Sequence, residues 1–308
     1  MVTKAKILVT GAPGGTQGAT ASKIVEMACA RGIAIAALVR HHDDRSKRLA
    51  DLGAEIVIGD LLNLREVLTA TSGRETVYFC YPVRPGLLEA TSIMAHAARE
   101  AELTLVVNLS QGSAATWSPS ATGRKHWLSE RIFSAAKVPV FNLRGAVFYE
   151  NIFRQFAKGI KESGELRAPF GDGSSYVPLV AAVDIAKVAL EALLKPRRYA
   201  GRKQLVVTEL LSMHEIAEAT SRFLQRKIVY REVSGDEWRQ EASQREDPDN
   251  LEQLQHLSML WQHLLLGNES GFLPFVRAMS SLKEFFVKSD KVHIDSWLEA
   301  NKVLFNES

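Results

Sequence analysis

The glycine-rich segment at residues 4–18, KAKILVTGAPGGTQG, constrains the fold more than any other part of the sequence. Apolar residues 7–9 predict a short buried strand that leads directly into the glycines, and residues 19–31 predict the helix that follows. Glycine lets a backbone approach a ligand closely, and the N-terminus of a helix offers unpaired N–H donors with a partial positive charge. A strand, a glycine loop and a helix in this order therefore predict a nucleotide-phosphate site.

The loop offers several candidate contacts with the phosphates. These are Gly11, Gly14, Gly15, Thr16, Gln17 and Gly18. Their spacing differs from the simple GxGxxG pattern of dehydrogenases, because Gly11, Gly14 and Gly18 are separated by three and then four residues. The position of the loop between the first strand and the first helix favours a nucleotide site over a plain turn.

Short apolar runs alternate with helical segments through the first half of the chain. Buried strands are expected at residues 7–9, 33–39, 55–58, 76–81, 103–109 and 138–143. Strands and helices in this alternation predict an α/β fold with a doubly wound parallel sheet and right-handed crossovers.

Ligands of doubly wound sheets bind along the carboxyl ends of the strands. Those ends carry the remaining candidate cofactor contacts, which are Arg40, Asp60, Leu61, Pro82 and Ser110. Asp60 and Leu61 follow the third strand, where a side chain can reach an adenine ring. We therefore expect one cleft that collects all of these residues together with the glycine loop.

Arg40 bears on the choice of cofactor because it ends the second strand. An acidic residue there would accept hydrogen bonds from the ribose of NAD, whereas an arginine suits the additional phosphate of NADP. Arg45 and Lys47 stand close by and could add to the same pocket. All three could also be solvated residues of a polar loop. The sequence favours NADP, with NAD as the alternative.

Composition excludes several classes of protein. The 308 residues are 46% hydrophobic and 24% charged, which is ordinary for a globular chain with an ample core. A net charge of +3 without a basic block argues against nucleic-acid binding, and no run of 18 apolar residues predicts a membrane span. Cys29 and Cys80 fit reduced core thiols, and the first strand leaves no room for a signal peptide. We expect a cytoplasmic location.

Two motifs suggest a metal site and a catalytic dyad, neither of which the rest of the sequence supports. His41 and His42 are adjacent in a polar loop with no third ligand apparent, so we expect no metal site. Tyr199 and Lys203 have the Tyr-xxx-Lys spacing of short-chain dehydrogenases, in which lysine lowers the pKa of tyrosine. They lie far along the chain from Ser110, so we interpret the spacing as chance.

We expect two unequal domains. Residues 1–150 form the nucleotide-binding domain, with later returns near residues 175–208, and residues 151–308 form a smaller, interleaved α+β domain for the substrate. Ser212 and Glu215 predict a capping box at one helix of this region. An acidic loop is expected at residues 244–252, and further helices at 254–266, 280–287 and 295–301.

Four features together resemble the NmrA-like family of atypical short-chain dehydrogenases. They are the opening VTGAPGGTQG, Arg40, the strand end Gly59-Asp60 and the segment LRGAVFYEN at residues 143–151. The resemblance extends over roughly residues 4–300. Gly145 stands where the family usually has proline, and the glycine loop is one residue longer than the common GATGxxG.

The resemblance implies a Rossmann fold, a preference for NADP and a small C-terminal domain over the cleft. Some relatives reduce quinones, dyes or phenolic compounds, whereas others bind the dinucleotide without turnover and report the redox state to a protein partner. A reductase of a small aromatic, quinone-like or enone substrate and a redox sensor with a regulatory partner are therefore both open. Monomers and homodimers both occur in the family.

The resemblance also points to a catalytic residue. In the related isoflavone-reductase branch, a proton-donating lysine lies about twelve residues before the turn into the sixth strand. Counting back from Val138 reaches His126, with Lys125 just ahead of it. A histidine can serve as acid or base near neutrality, and Glu130 one helical turn later could orient its ring. The alternatives for His126 are a non-catalytic ligand contact and simple packing.

The substrate side is expected near the ends of the fifth and sixth strands. The candidates are Gln111, Tyr149 and Asn151. Trp261, Phe272 and Phe275 could form an apolar wall for an aromatic ligand, although such residues more often pack a core.

Overall fold

The computed structural model describes residues 5–12, 19–243, 256, 259 and 291–305. The predicted acidic loop at 244–252, the helix at 280–287 and the aromatic residues Trp261, Phe272 and Phe275 lie outside these residues. Of the helix predicted at 254–266, only His256 and Met259 are described, and both are helical.

The described strands, numbered along the chain, are short. They are β1 Ile7–Thr10, β2 Ile35–Val39, β3 Glu55–Ile58, β4 Thr76–Phe79, β5 Leu105–Gln111, β6 Val140–Gly145, β7 Val147–Phe148, β8 Glu165–Ala168, β9 Val177–Val180, β10 Lys203–Val206, β11 Glu209–Leu211 and β12 Val229–Glu232. The described helices are α1 Thr20–Ala30, α2 Asp44–Asp51, α3 Leu64–Thr71, α4 Leu87–Glu100, α5 Ala121–Ala135, α6 Tyr149–Ser163, α7 Ala182–Leu194, α8 Pro196–Tyr199, α9 Met213–Leu224, α10 Gly235–Ser243 and α11 Ile294–Ala300.

Seven of the strands form one parallel sheet. Its order is β10-β6-β5-β4-β1-β2-β3, and every neighbouring pair in it is parallel. Each residue of β1, β2 and β4 is buried, as expected for strands covered on both faces. The predicted doubly wound α/β sheet is therefore confirmed.

Helices cover both faces of this sheet. On one face, an apolar cluster joins Leu8, Phe79 and Val106 of the strands to Phe133 of α5. The rings of Phe79 and Phe133 meet edge to face, with their centroids 5.7 Å apart. Among the other helices, α1 packs against α7 and α3 against α4. Because all seven strands are parallel, their carboxyl ends lie at the same edge of the sheet.

The contacts within the chain divide it into two compact units. The first comprises residues 1–118, 122–145 and 182–206 and contains the seven-stranded sheet, and the second comprises residues 119–121, 146–181 and 207–308. The second unit contains a three-stranded sheet in the order β11-β9-β7 and a two-stranded sheet of β12 and β8. Ser212 and Glu215 form the predicted capping box at the start of α9.

Gly123 lies in the first turn of helix α5, which begins at Ala121. A Cβ atom at Gly123 would lie 2.1 Å from Ser118 Oγ and 3.0 Å from Ser113 O. The glycine therefore allows the preceding loop to pack tightly against the helix. Arg124 Nη1 strengthens this contact by donating to Ser118 O at 2.6 Å.

Among the described residues, no helix combines the length and apolarity needed to cross a membrane. The same part of the chain contains no group of three His, Cys, Asp or Glu side chains arranged to hold a metal ion.

Candidate functional site

The glycine turn begins directly at the end of β1 and is anchored to β4. Thr10 Oγ1 donates to Cys80 O at 3.2 Å and accepts from Cys80 N at 3.0 Å. Gly11 has a φ of +73°, and a Cβ atom there would lie 3.2 Å from Cys80 O. Only glycine fits this left-handed and crowded position without strain. The other proposed loop contacts, Gly14, Gly15, Thr16, Gln17 and Gly18, lie outside the described residues.

Among the described residues, no side chain caps the N-terminus of helix α1. Ala19 stands at its N-cap position and forms no side-chain hydrogen bond, and the first turn contains no acidic residue. The first N–H groups of a helix carry a partial positive charge and need acceptors. A turn that requires glycine and leads to such a helix fits a bound diphosphate.

Cys80 lies beneath this turn and is fully packed. Burial raises the pKa of its thiol to about 12, so the side chain is a neutral thiol at physiological pH. Cys29 is half-buried, and burial raises its pKa as well. Both side chains are thiols rather than halves of a disulfide, in agreement with the predicted reduced thiols.

Arg40 follows β2 and is exposed. Its guanidinium forms no ion pair with a described residue, whereas Arg45 Nη2 pairs with Asp43 Oδ2 at 2.7 Å. Asp43 also accepts from Ser46 N as the cap of α2, and these contacts, with the Ser46 bond as the largest, lower the pKa of Asp43. Arg40 is therefore freer than Arg45 to meet an anionic ligand at this strand end.

The loop after β3 is held by its own hydrogen bonds. Asp60 N donates to Glu66 Oε2 at 2.7 Å, and Asp60 Oδ1 accepts from Leu62 N at 2.9 Å. One oxygen of Asp60 thus supports the turn that contains Leu61. Pro82 follows β4 and is half-buried. Asp60, Leu61 and Pro82 lie at the expected edge of the sheet, beside the ends of β3 and β4.

Ser110, near the end of β5, belongs to a buried charge cluster centred on Glu130 of α5. Ser110 Oγ donates to Glu130 Oε1 at 2.8 Å. Arg144 of β6 donates through Nε and Nη2 to the two carboxylate oxygens, both at 2.8 Å. Lys203 Nζ of β10 lies 3.3 Å from Glu130 Oε2. We call these four residues the Glu130 cluster.

The carboxylate of Glu130 has no solvent exposure, yet it remains ionised. Burial alone would raise its pKa, but the hydrogen bonds and charge of Arg144, with smaller contributions from Ser110 and Lys203, lower it below the ordinary value. The cluster joins α5 to the ends of β5 and β6 around one fixed negative charge.

His126 lies one turn before Glu130 on the buried face of α5, with 2% of its surface exposed. Its Nδ1 atom is buried and has no hydrogen-bond partner among the described residues. The oxygens of Glu130 bond to Ser110 and Arg144 rather than to the imidazole. Glu130 therefore acts on His126 through its charge and does not hold the ring by a hydrogen bond.

Burial lowers the pKa of His126 to about 4. The negative charge of Glu130 opposes this effect, and the positive charges of Arg144 and Lys125 add to it. The imidazole is accordingly neutral at physiological pH. A neutral imidazole has one nitrogen that donates a hydrogen bond and one that accepts.

We expect His126 to make stability depend on pH. Its pKa in the folded protein, about 4, lies below the ordinary value of 6.5, so the unfolded chain binds more protons between these values. The stabilisation is complete above pH 6.5 and is lost as the pH falls toward 4, by about 3 kcal/mol in total. Urea unfolding of wild type and His126→Gln across this range measures the effect. The difference between their free energies of unfolding should change by that amount, and two parallel pH curves would contradict it.

The predicted substrate residues fall in different places. Gln111 is half-exposed and accepts from Ser113 Oγ at 3.3 Å. Tyr149 and Asn151 lie in the first turn of α6, directly after the end of β7, in the second unit. Tyr149 is fully buried and donates to Glu209, whereas Asn151 Oδ1 is buried with no hydrogen-bond partner among the described residues.

Tyr199 and Lys203 do not act as a dyad. Tyr199 is buried beside Phe141, with ring centroids 5.0 Å apart, and its hydroxyl bonds to Glu191. Lys203 instead belongs to the Glu130 cluster. The two side chains thus have different acidic partners, and we keep the interpretation of their spacing as chance.

Sequence reasoning missed the Glu130 cluster and one aromatic side chain. The i, i+4 spacing of His126 and Glu130 was the only local signal of the cluster, because Arg144 and Lys203 reach it from distant strands. Trp117 lies in the loop between β5 and α5 with 54% of its surface exposed. Nothing in the periodicity of that Ser- and Thr-rich loop indicates the exposure.

Comparisons with known proteins agree with this architecture. The NAD(P)H azoreductase of Xenophilus azovorans is 28% identical over 241 residues, which cover 77% of this chain and 82% of that protein. The structure of Citrobacter sp. triphenylmethane reductase complexed with NADP(H) superposes with a TM-score of 0.71 at 20% identity, covering 86% of this chain and 91% of the other. The NADPH-dependent quinone oxidoreductase of Escherichia coli gives 0.71 at 18% identity, with 84% and 90% covered.

The model of the NmrA-like family matches residues 3–260 of this sequence. That match spans both the glycine turn and the segment at residues 143–151 on which the resemblance rested. The chain therefore belongs to the NmrA-like family.

Proposed function

We propose that this protein is an NADPH-dependent reductase that transfers hydride to a small aromatic, quinone-like or enone substrate. The observation that carries the proposal is the pairing of β1 with β2, in which Thr10 stands opposite Leu38. Gly11 directly follows Thr10, and Arg40 is two residues after Leu38, so both lie at the carboxyl ends of neighbouring strands. A diphosphate at the glycine turn and a ribose phosphate at Arg40 suit a single dinucleotide.

The residues present fit such a cofactor. The crowded backbone at Gly11 leaves no room for a side chain. Within the described part of the chain, no side chain caps α1 and Arg40 has no ion-pair partner. When bound, the dinucleotide supplies the hydride. The chain supplies the phosphate contacts and the groups that meet the substrate.

His126 is our candidate for the group that meets charge developing on the substrate. Its neutral imidazole can donate a hydrogen bond to a substrate oxygen or nitrogen on which negative charge grows, without giving up its proton. Lys125, half-buried on the same helix, adds positive charge nearby. We propose Gln111 as a substrate contact of the first unit and, separately, the second unit as the substrate domain, with Tyr149 and Asn151 as its candidate residues.

The substrate class rests on the relatives. The azoreductase named above is 28% identical over most of the chain, and the names of both structural neighbours also denote reductases. An azo dye, a quinone and a triphenylmethane dye are all conjugated electron acceptors. The proposal includes the cytoplasmic location expected from the sequence.

The first test is fluorescence titration of the wild type, Arg40→Ala and Arg45→Ala with NADPH and NADH. Loss of Arg40 should raise the Kd of NADPH about tenfold and leave that of NADH nearly unchanged, since a charge-assisted bond to a phosphate contributes roughly 1.5 kcal/mol. Arg45→Ala is the matched control, because its guanidinium is already paired with Asp43. Its effect on the Kd should stay within about twofold.

Turnover is then measured as NADPH oxidation with azo dyes, quinones and enones. Oxidation of NADPH that is lost in His126→Ala supports the reductase and the role of His126. Tight binding without turnover across the panel would favour a redox sensor with a protein partner. Equal affinity for both dinucleotides in the wild type would overturn the preference for NADP, and no binding would overturn the proposal.

A further inference from the structure

Glu130 has a buried negative charge for which the proposed reaction has no role. Its side chain has no solvent exposure and occupies the face of α5 that also carries His126. Such a charge is costly to bury, and replacing a buried ion pair with apolar side chains is often neutral for stability. A role beyond stability therefore has to come from what the carboxylate does to its neighbours.

We propose that Glu130 is the positioning residue of the active site, acting through Ser110 and His126, with Arg144 and Lys203 as the counter-charges that limit its influence. The role in catalysis rests on the proposed reductase function. The geometry on which it depends lies entirely within the first unit, at the ends of β5 and β6.

The first consequence concerns Ser110. An ionised carboxylate only accepts hydrogen bonds, so the Ser110 hydroxyl must donate its proton to Glu130 at 2.8 Å. Ser110 then has only lone pairs left to offer. A ligand group that meets Ser110 has to be a donor, such as the amide of a nicotinamide or the hydroxyl of a reduced product.

The second consequence concerns His126. The charged groups around it are Lys125 and Glu130 on α5 and Arg144 on β6, and Lys203 on β10 acts through Glu130. Glu130 favours the protonated imidazole, whereas the cations oppose it. The balance among these groups determines how readily His126 takes up and releases a proton.

Two substitutions should shift this balance in opposite directions. Glu130→Gln removes the negative charge and preserves the shape, so the pKa of His126 should fall. Lys203→Met removes a counter-charge whose side chain is 43% exposed, so the pKa of His126 should rise, with a proton affinity about threefold higher after solvent screening. A merely structural defect would not produce opposite shifts.

The experiment is an NMR titration of the histidine ring protons in the full chain, with the His126 resonance assigned by its absence in His126→Gln. In Lys203→Met the resonance should titrate at higher pH than in the wild type. In Glu130→Gln it should stay in its neutral position down to the lowest pH at which the fold persists. Glu162→Gln, which removes a surface partner of Lys158, is the matched control and should change nothing.

Kinetics provide the second readout. In Glu130→Gln the kcat for a substrate of the wild type should fall tenfold or more, while the Kd of NADPH changes by a smaller factor, because the phosphate contacts of Gly11 and Arg40 lie at other strand ends. An unchanged kcat in a folded variant would overturn the positioning role.

If Glu130→Gln does not fold, Lys203→Met still tests the electrostatic coupling. The side chain of Lys203 is partly exposed, so its replacement disturbs the fold less. An unchanged His126 titration in that variant, or shifts of the same sign in both variants, would overturn the proposal. The titration needs neither dinucleotide nor turnover. Opposite shifts in a protein that binds no NADPH would therefore refute the reductase and leave the coupling between Glu130 and His126 intact.

Discussion

Replacing Gly11 with alanine is expected to raise the Kd of NADPH at least tenfold. Alanine pays roughly 1–2 kcal/mol to adopt the left-handed backbone conformation, and its Cβ atom would press against Cys80 O at 3.2 Å. To relieve both strains, the turn has to move away from β4. The backbone groups that would bind the diphosphate then move as well. Fluorescence titration measures the Kd, and urea unfolding measures the accompanying loss of stability.

Gly32→Ala separates backbone strain from loss of the site. Gly32 has a φ of +67°, close to that of Gly11, but a Cβ atom there has nothing within 4 Å. It lies between α1 and β2, at the amino edge of the sheet. This variant should lose a comparable amount of stability and bind NADPH as the wild type does. Unchanged affinity in Gly11→Ala would show that the turn does not approach the dinucleotide.

Replacing Arg144 with methionine is expected to lower the free energy of unfolding by about 3–5 kcal/mol, because it leaves the carboxylate of Glu130 buried without its main partner. Ser110 and Lys203 remain, but neither forms the paired bonds of the guanidinium. Urea unfolding at pH 7 measures the loss. Below the pH at which Glu130 accepts a proton the difference from wild type should shrink, since a neutral carboxyl no longer needs a counter-charge.

Two further variants serve as controls for the Arg144→Met measurement. Lys158→Met removes a partner of an exposed ion pair on α6 and should cost no more than about 1 kcal/mol. The double variant Glu130→Met with Arg144→Met removes both charges and should recover much of the loss. A loss of less than 1 kcal/mol in the single Arg144→Met variant would mean that Lys203 and solvent suffice to compensate the carboxylate.

Local signals in the sequence were enough to predict the architecture. Continuous apolar runs such as residues 33–39 belong to strands buried on both faces, and their alternation with helices leaves the parallel sheet as the natural arrangement. The capping box of Ser212 and Glu215 was predictable because its partners are three residues apart. The reason for a glycine at position 123 could not be predicted, because its small size serves a contact with Ser118 in the preceding loop.

The strand-end positions of the site could also be predicted, since a parallel sheet brings the residues after each strand to one edge. Gly11, Arg40, Asp60 and Ser110 were expected there for that reason alone. Their partners could not be predicted in the same way. In the folded structure Arg45 forms an ion pair with Asp43, whereas Arg40 has no ion-pair partner among the described residues. Nothing in the sequence distinguished these two arginines in this way.

The Glu130 cluster was decided by tertiary structure. Glu130 and His126 are neighbours on one helix, but Arg144 and Lys203 reach the carboxylate only because β6 lies between β5 and β10 in the sheet. Burial of α5 against that sheet makes the imidazole neutral, whereas the hydrogen bonds and charge of Arg144 keep the carboxylate ionised although burial alone would raise its pKa. The sequence by itself determined the sheet, the glycine turn and the row of strand ends, because each follows from short-range pattern. The charge states of His126 and Glu130 depend on desolvation and on partners distant in sequence, so only the folded chain could decide them.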